Sequence, residues 1–247
     1  MSEKLPVSAI LITKNEAHNL PRCLGSLQFC SQIVVVDSGS TDDTVAVAQS
    51  LGAEVHQTDD WPGFGPQKNR ALAHANQPWV LSVDADEWVE PELAASIARH
   101  VASSQQAAQV LRESSFCGRV MKYSGWGDDW ILRLFPRTGA AFTDDLVHER
   151  VLVADGDVRL DGVMGHESFT DLSQVLAKID LYSDAWAKQN YGRRSSIPLA
   201  MGKGMAAFVK TWILKQGFRD GMHGLLLSLT NAHGTFYKYA KLWNLQR

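Results

Sequence analysis

Two patterns of apolar and polar positions divide the chain. In the first half, apolar runs alternate with segments of helical period. Residues 7–13 (VSAILIT) and 32–38 (QIVVVDS) are mostly apolar and β-branched, the pattern of parallel strands buried on both faces. Residues 54–58 (EVHQT) form a weaker third strand and 79–85 (WVLSVDA) a fourth. A helix is predicted after the second strand, with Thr41 as cap and Asp42 and Asp43 in its first turn. Val45, Ala48 and Leu51 share one face, and Gly52 is the stop. Residues 66–76 and 91–104 are further helices, each opened by a proline. This alternation predicts an α/β fold with a doubly wound, mostly parallel sheet. Ligands of such sheets bind beyond the carboxyl ends of the strands, where Thr13, Asp37 and Asp84 fall.

The second pattern begins near residue 105. Residues 116–123, 130–137 and 149–156 read as shorter strands joined by polar loops, and from 171 onward the chain reads as helix. There is no internal repeat and no low-complexity linker. The simplest division is an α/β domain over 1–170 and a helical extension over 171–247.

Charge sharpens that division. The net charge of −3 over 247 residues hides 15 basic and 26 acidic side chains before Arg193, then nine basic residues and one acid, Asp220. A net of −11 is followed by +8, so the extension is expected to meet something anionic. In residues 205–219, Met205, Phe208, Val209, Trp212 and Ile213 follow helical spacing, with Lys203, Lys210, Lys215 and Arg219 nearby. A basic amphipathic helix of this kind lies on an anionic membrane surface, or else packs on the α/β domain with its lysines in water. Residues 221–243 form a second such helix. Cys23, Cys30 and Cys117 lack CxxC spacing, which fits a reducing cytosol. The first residues read as a strand and not a signal peptide, and no run reaches the roughly 18 apolar residues of a membrane span. The expected location is cytoplasmic and peripheral on the inner membrane, with no nucleic-acid partner.

The chemistry is concentrated in VLSVDADEW, residues 80–88, where an apolar strand ends in Asp84, Asp86 and Glu87. Three carboxylates within four residues repel one another unless something positive sits among them. A solvated helix cap before Pro91 is one explanation. A divalent cation is the other, since Mg²⁺ or Mn²⁺ takes a few carboxylate oxygens together with substrate phosphates. The loops TKNEAHNL (13–20) and DSGSTDDT (37–44) carry short polar side chains able to bind a base and a ribose. GPQKNRAL (65–72) places Lys68 and Arg70 at a helix start, where anions are favoured. Arg133 and Arg137 either bind a phosphate or are solvated charges. Trp126 and Trp130 either stack on a sugar or pack.

The succession ITKNE, VVDSGSTDDT, G..QKN.A and SVDADE resembles the family 2 glycosyltransferases of the GT-A fold, and WILRLFPR with VHE and GHESF resembles the branch that adds glucose to the heptose of lipopolysaccharide inner core. The resemblance implies an inverting enzyme that takes a nucleotide-diphosphate sugar, such as UDP-glucose, and a lipid-anchored glycan acceptor. It implies that Thr13, Glu16 and Asp37 contact uridine and that Lys68 or Asn69 lies near the nucleotide; of the two arginines, Arg133 is the one expected to bind substrate. Asp84 would contact ribose or metal, and Asp86 would ligate the Mg²⁺ or Mn²⁺. His166 would be a second ligand, with His148 in competition, and Glu149 the base, with Asp144 and Asp145 as alternatives. A polyprenyl-phosphate or other glycan acceptor, or a nucleotide-sugar-binding protein without turnover, are the rival expectations. A two-carboxylate glycosidase would need no nucleotide loops.

Overall fold

The computed structural model describes residues 4–144, 150–153 and 156–247. The chain runs through β1 (Leu5–Thr13), α1 (Leu20–Ser26), β2 (Cys30–Asp37), α2 (Thr44–Ser50), β3 (Glu54–Gln57), α3 (Phe64–His74), β4 (Trp79–Ser82), β5 (Glu87–Val89) and α4 (Pro91–Ser103). It continues through β6 (Ala107–Phe116), β7 (Arg119–Val120), β8 (Asp129–Pro136), β9 (Ala141–Phe142), β10 (Val151–Leu152) and β11 (Asp157–Phe169). The remainder is α5 (Leu172–Gln189), α6 (Ile197–Val209), a π-helical turn (Lys210–Leu214), a 3-10 turn (Gly217–Asp220) and α7 (Gly221–Leu245).

The main sheet has the order β3-β2-β1-β4-β8-β6-β11-β5, with β7 paired to the end of β6 and a separate pair β9–β10. β3, β2, β1 and β4 are parallel, and β8 joins β4 antiparallel. The register sets Thr13 opposite Asp37 at the carboxyl ends of β1 and β2. Period-two alternation explains why these runs are apolar throughout. Val7, Ala9 and Leu11 pack with Leu20 and Leu24 of α1 and Leu93 and Ile97 of α4. Ile10, Val34 and Val36 face the other way, into Ala71 of α3, Phe135 and Phe142. Truncating a fully buried Leu or Ile of either layer to Ala costs about 2–5 kcal/mol.

Several boundaries differ from expectation. α2 begins at Thr44 and not near Thr41, because the Asp42 carboxylate accepts from the Thr44 amide (3.1 Å) and the Ala17 amide (3.3 Å), which ties the loop down before the helix starts. β4 stops at Ser82; the chain then turns, and the Glu87 amide donates to the Asp84 carbonyl at 3.0 Å. The 13-residue strand β11 was not anticipated. Its charged alternation resembles a loop, and Gly162 sits at φ +88° where a Cβ would come within 2.4 Å of the Leu93 amide. The helix expected over 205–219 instead breaks at Gln216, whose φ is +55°.

The chain forms two compact units, Met1–Arg112 with Asp129–His166, and Glu113–Asp128 with Glu167–Arg247. Residues 113–128, expected in the α/β domain, therefore belong with the helices. Phe116 and Met121 pack with Val175 and Leu227, which gives this unit its own small core. Asp220, 3% exposed, pins the same segment: its carboxylate accepts from the Lys122 and Tyr123 amides and the Ser124 hydroxyl. Trp126 packs edge-on to Phe116, within this core. Asp171 caps α5, accepting from the Ser173 and Gln174 amides at 2.7 and 3.0 Å. Among the described residues, no helix is long and apolar enough to cross a membrane.

Candidate active site

The three acids of the DADE loop have different partners. Asp84 Oδ1 lies 3.0 Å from Lys68 Nζ, and Asp84 Oδ2 lies 2.6 Å from Arg133 Nη2. Glu87, wholly buried, accepts from the same Arg133 Nη2 at 2.6 Å and from Arg112 Nη1 at 3.1 Å, and its other oxygen accepts from the Asp84 amide. Arg112 continues outward to Asp129 at 2.8 Å. The repulsion posed by the sequence is thus met by a cage of three cations from α3, β6 and β8. Burial alone would raise the Asp84 carboxyl, but the charges of Arg133 and Lys68 outweigh it and hold that carboxyl well below the usual carboxylate range. Burial likewise opposes the Arg133 charge, and Asp84 and Glu87 reverse the effect, raising its pKa.

Asp86 is not part of that cage. It is one-third exposed, and its Oδ2 lies 3.4 Å from His166 Nε2. β11 delivers the histidine: it pairs antiparallel with β5, with His166 opposite Glu87 and Gly165 opposite Trp88. Gly165 is required there, because a Cβ would lie 2.1 Å from the Trp88 indole. The Arg22 guanidinium covers that indole at 3.2 Å. A carboxylate and an imidazole with their ligand atoms 3.4 Å apart suit a divalent cation, since two cis ligands at about 2.1 Å from an octahedral ion are themselves about 3 Å apart.

Beside this, at the carboxyl end of β1, Ile12, Thr13, Lys14, Glu16, Trp61 and Phe64 line a cleft of about 420 Å³. Its base is the Thr13–Asp37 pair, where the threonine hydroxyl donates to Asp37 Oδ1 at 3.1 Å. Asp37, fully buried, also accepts from the Ser40 amide at 2.9 Å and the Ser40 hydroxyl. Burial raises the Glu16 carboxyl; the Asn19 amide at 2.7 Å works against this and the negative charge of Asp86 adds to it.

Residues 8–151 match the family model of glycosyl transferase family 2. The chain belongs to that family. This family 2 glycosyltransferase is 30% identical to the lipopolysaccharide core biosynthesis glycosyltransferase LpsC of Rhizobium meliloti (strain 1021), over 98% of this chain and 94% of the relative. It is also 30% identical to an uncharacterized glycosyltransferase of Rickettsia bellii (strain RML369-C), over 99% of this chain and 89% of that one. Among solved structures, S. aureus TarS 1-349 in complex with UDP superimposes with a TM-score of 0.48 at 14% identity, covering 96% of this chain and 91% of that chain. The chain is therefore an enzyme of the glycosyltransferase class, with the α/β fold expected for it.

Against that background, Thr13 and Glu16 line one cleft, Asp37 is buried behind Thr13, and Asp86 lies 3.4 Å from His166. Two of the expected site residues are held by partners within the chain. Asn69, expected near the nucleotide, spends its side chain on Phe142: its Nδ2 donates to the Phe142 carbonyl at 2.9 Å and its Oδ1 accepts from the Phe142 amide at 2.8 Å. It mimics a strand partner and fixes the start of the segment that leads to residue 144. Arg133, expected to bind substrate, points its donor Nη2 at Asp84 and Glu87 and is 8% exposed. Trp130 lies under the Arg159 guanidinium at 4.6 Å. Glu149, Asp145 and His148 lie outside the described residues, and Asp144 is exposed. Trp61 and Phe64, 45% and 39% exposed in the cleft and packed edge to face, were not anticipated. Large exposed aromatics on either side of Gly63 were the signal available. The roles of Arg112 and Glu87 depend on a contact between distant strands.

Proposed function

We propose that this chain transfers a hexose from a nucleotide-diphosphate sugar, UDP-glucose in the first instance, to a heptose of lipopolysaccharide inner core, inverting the anomeric centre. The Asp86–His166 pair beside the Thr13–Asp37 cleft carries the proposal, because it joins a place for a nucleoside to a place for a diphosphate. The likeness to LpsC supports the acceptor class.

In this scheme the cleft between Trp61, Phe64 and Thr13 takes the base, with Glu16 offering an acceptor to its edge or to the ribose and Asp37 reached through the Thr13 hydroxyl it holds. Asp84, with both oxygens held by cations, fixes the turn that presents Asp86, and Lys68 adds positive charge beside it. Mg²⁺ or Mn²⁺ held by Asp86 and His166 would neutralise the charge that builds on the departing diphosphate. Glu149 would take the proton from the attacking acceptor hydroxyl, a role worth roughly 10²–10⁴-fold, and one displacement with one base gives inversion. Asp144 is the competing base.

A lipid-anchored acceptor requires the enzyme to work at a membrane surface. Met201, Met205 and Val209 recur every fourth residue along α6, and Leu214 and Met222 are 72% and 74% exposed beyond it. Lys203, Lys210, Lys215 and Arg219 are interspersed among them. Such a basic and apolar surface suits the interface of an anionic bilayer. The test is a donor screen with purified protein, Mg²⁺ or Mn²⁺ and truncated core lipid, read by mass spectrometry. Glu149→Gln should keep UDP-sugar binding and lose transfer; retained transfer moves the base to Asp144 or Asp145.

A further inference from the structure

The helical unit contains a cavity of about 510 Å³ that the transfer chemistry does not use. Lys178 of α5, Lys210 and Lys215 at the two ends of the π-helical turn, and Lys238 of α7 all line it, and no aspartate or glutamate does. Three acids of this unit are engaged elsewhere. Asp180 and Asp184 pair with Lys241, at 2.7 and 2.9 Å, and Asp220 is buried against the 122–124 backbone. Among the described residues, none of the four cavity lysines has a carboxylate within 4.0 Å.

The rest of the lining is apolar and aromatic: Phe116, Trp126, Phe169, Val175 and Leu227 form the floor, continuous with the unit's own core. Thr211 and Asn231 add donors, the Asn231 amide reaching the Thr211 hydroxyl at 3.2 Å. The wall is built from unusual backbone. Ser124 and Gln216 sit at φ +60° and +55°, the Ser124 amide donates to the Lys215 carbonyl at 2.8 Å, and Lys210–Leu214 is a π-helical turn, a form frequent at functional sites. Four cations over an aromatic floor complement a ligand that is anionic at one end and apolar at the other.

We infer that this cavity binds the phosphate group of an amphiphile, the phosphorylated lipid end of the acceptor, as a site separate from donor binding. The identity of the occupant rests on the proposed acceptor class; the phosphate amphiphile chemistry rests on the cavity alone.

The probe is dodecyl phosphate below its micelle concentration, titrated calorimetrically into the full chain, with inorganic phosphate and dodecyl maltoside as comparisons. Dodecyl phosphate should bind at least tenfold more tightly than either. The exposed pair K210Q/K215Q should lower its affinity about 20-fold, near fivefold per lysine, with unchanged thermal unfolding and unchanged nucleotide-sugar hydrolysis. K203Q, on α6 outside the cavity, should bind like the parent. Equal binding of inorganic phosphate, equal binding of the maltoside, or an equal loss in K203Q would each overturn the inference. If K210Q/K215Q lowers the unfolding temperature, K178Q and K238Q take its place, and undiminished binding in both overturns it as well. Binding that follows these rules while core lipid accepts no sugar would sink the proposed acceptor and leave the cavity standing.

Discussion

Arg133→Met tests the cation cage most directly. The guanidinium is buried, and one nitrogen lies 2.6 Å from both Asp84 Oδ2 and Glu87 Oε1. Methionine fills similar volume and removes the charge. Breaking a buried ion pair by deleting one partner costs about 3–5 kcal/mol, because the other charge is left uncompensated. Two features reduce that figure here. Asp84 is 34% exposed, so water screens part of the loss, and Lys68 at 3.0 Å and Arg112 at 3.1 Å still face the two acids. The expected destabilisation at neutral pH is about 2–3 kcal/mol, or a fall of roughly 4–12 °C in unfolding temperature for a chain of this size.

The pH dependence separates this mechanism from simple loss of packing. In the parent, the Asp84 carboxyl titrates below its unfolded value of about 3.9. A depressed folded pKa contributes stability that is fully present above the unfolded value and is lost as pH falls through the folded one. Without Arg133, the folded pKa rises toward or past the unfolded value. The difference between parent and variant should therefore be largest above about pH 5 and should shrink steadily as pH falls below about 4. Urea unfolding of both proteins at several pH values reads this directly. A variant within about 0.5 kcal/mol of the parent at pH 7, or a deficit that does not change between pH 7 and pH 3, would refute the cage.

Gly165→Ala places a methyl 2.1 Å from the Trp88 ring; it should cost about 1–3 kcal/mol and disturb His166, lowering both the unfolding temperature and metal-dependent turnover. An unchanged unfolding temperature would show that β5 and β11 yield freely. Asn69→Ala leaves the Phe142 amide and carbonyl without their partners and should lose about 1–3 kcal/mol in urea titration, with the donor KM unchanged. A raised KM at unchanged stability would return Asn69 to the nucleotide. Trp61→Ala, at a side chain 45% exposed, should leave stability intact and raise the donor KM about tenfold, near the stacking value for a base on an aromatic ring. No change in KM would remove Trp61 from the donor site.

The parallel half of the sheet was legible in the sequence because both of its faces are covered. Val34, Val35 and Val36 are all buried, as are Ala9, Ile10 and Leu11 of β1 and Trp79, Val80 and Leu81 of β4, so these runs are apolar without a break. β11 was hidden for the opposite reason. It is only partly buried and charged at Asp157, Arg159 and Asp161, and local pattern cannot separate such a strand from a loop. Residues 113–128 follow the same logic. Their place in the helical unit comes from Phe116 and Met121 meeting Val175 and Leu227, residues more than fifty positions away.

The site divides along the same line. The acids were visible as a local cluster, and the question of what neutralises them was posed correctly, but a metal and a set of arginines answer it equally well at the level of sequence. The structure supplies the second answer for two of the three acids: Lys68, Arg112 and Arg133 neutralise Asp84 and Glu87. Asp86 lies between them in sequence, yet its side chain leaves the cage toward His166. A loop with one caged acid on each side of an uncaged one holds that carboxylate near His166 without drawing it into the cage. The same three residues in an uncaged loop would repel one another and present no defined ligand. The arginines are therefore as much a condition for a cation at Asp86 as the aspartate itself, although none of them needs to touch it.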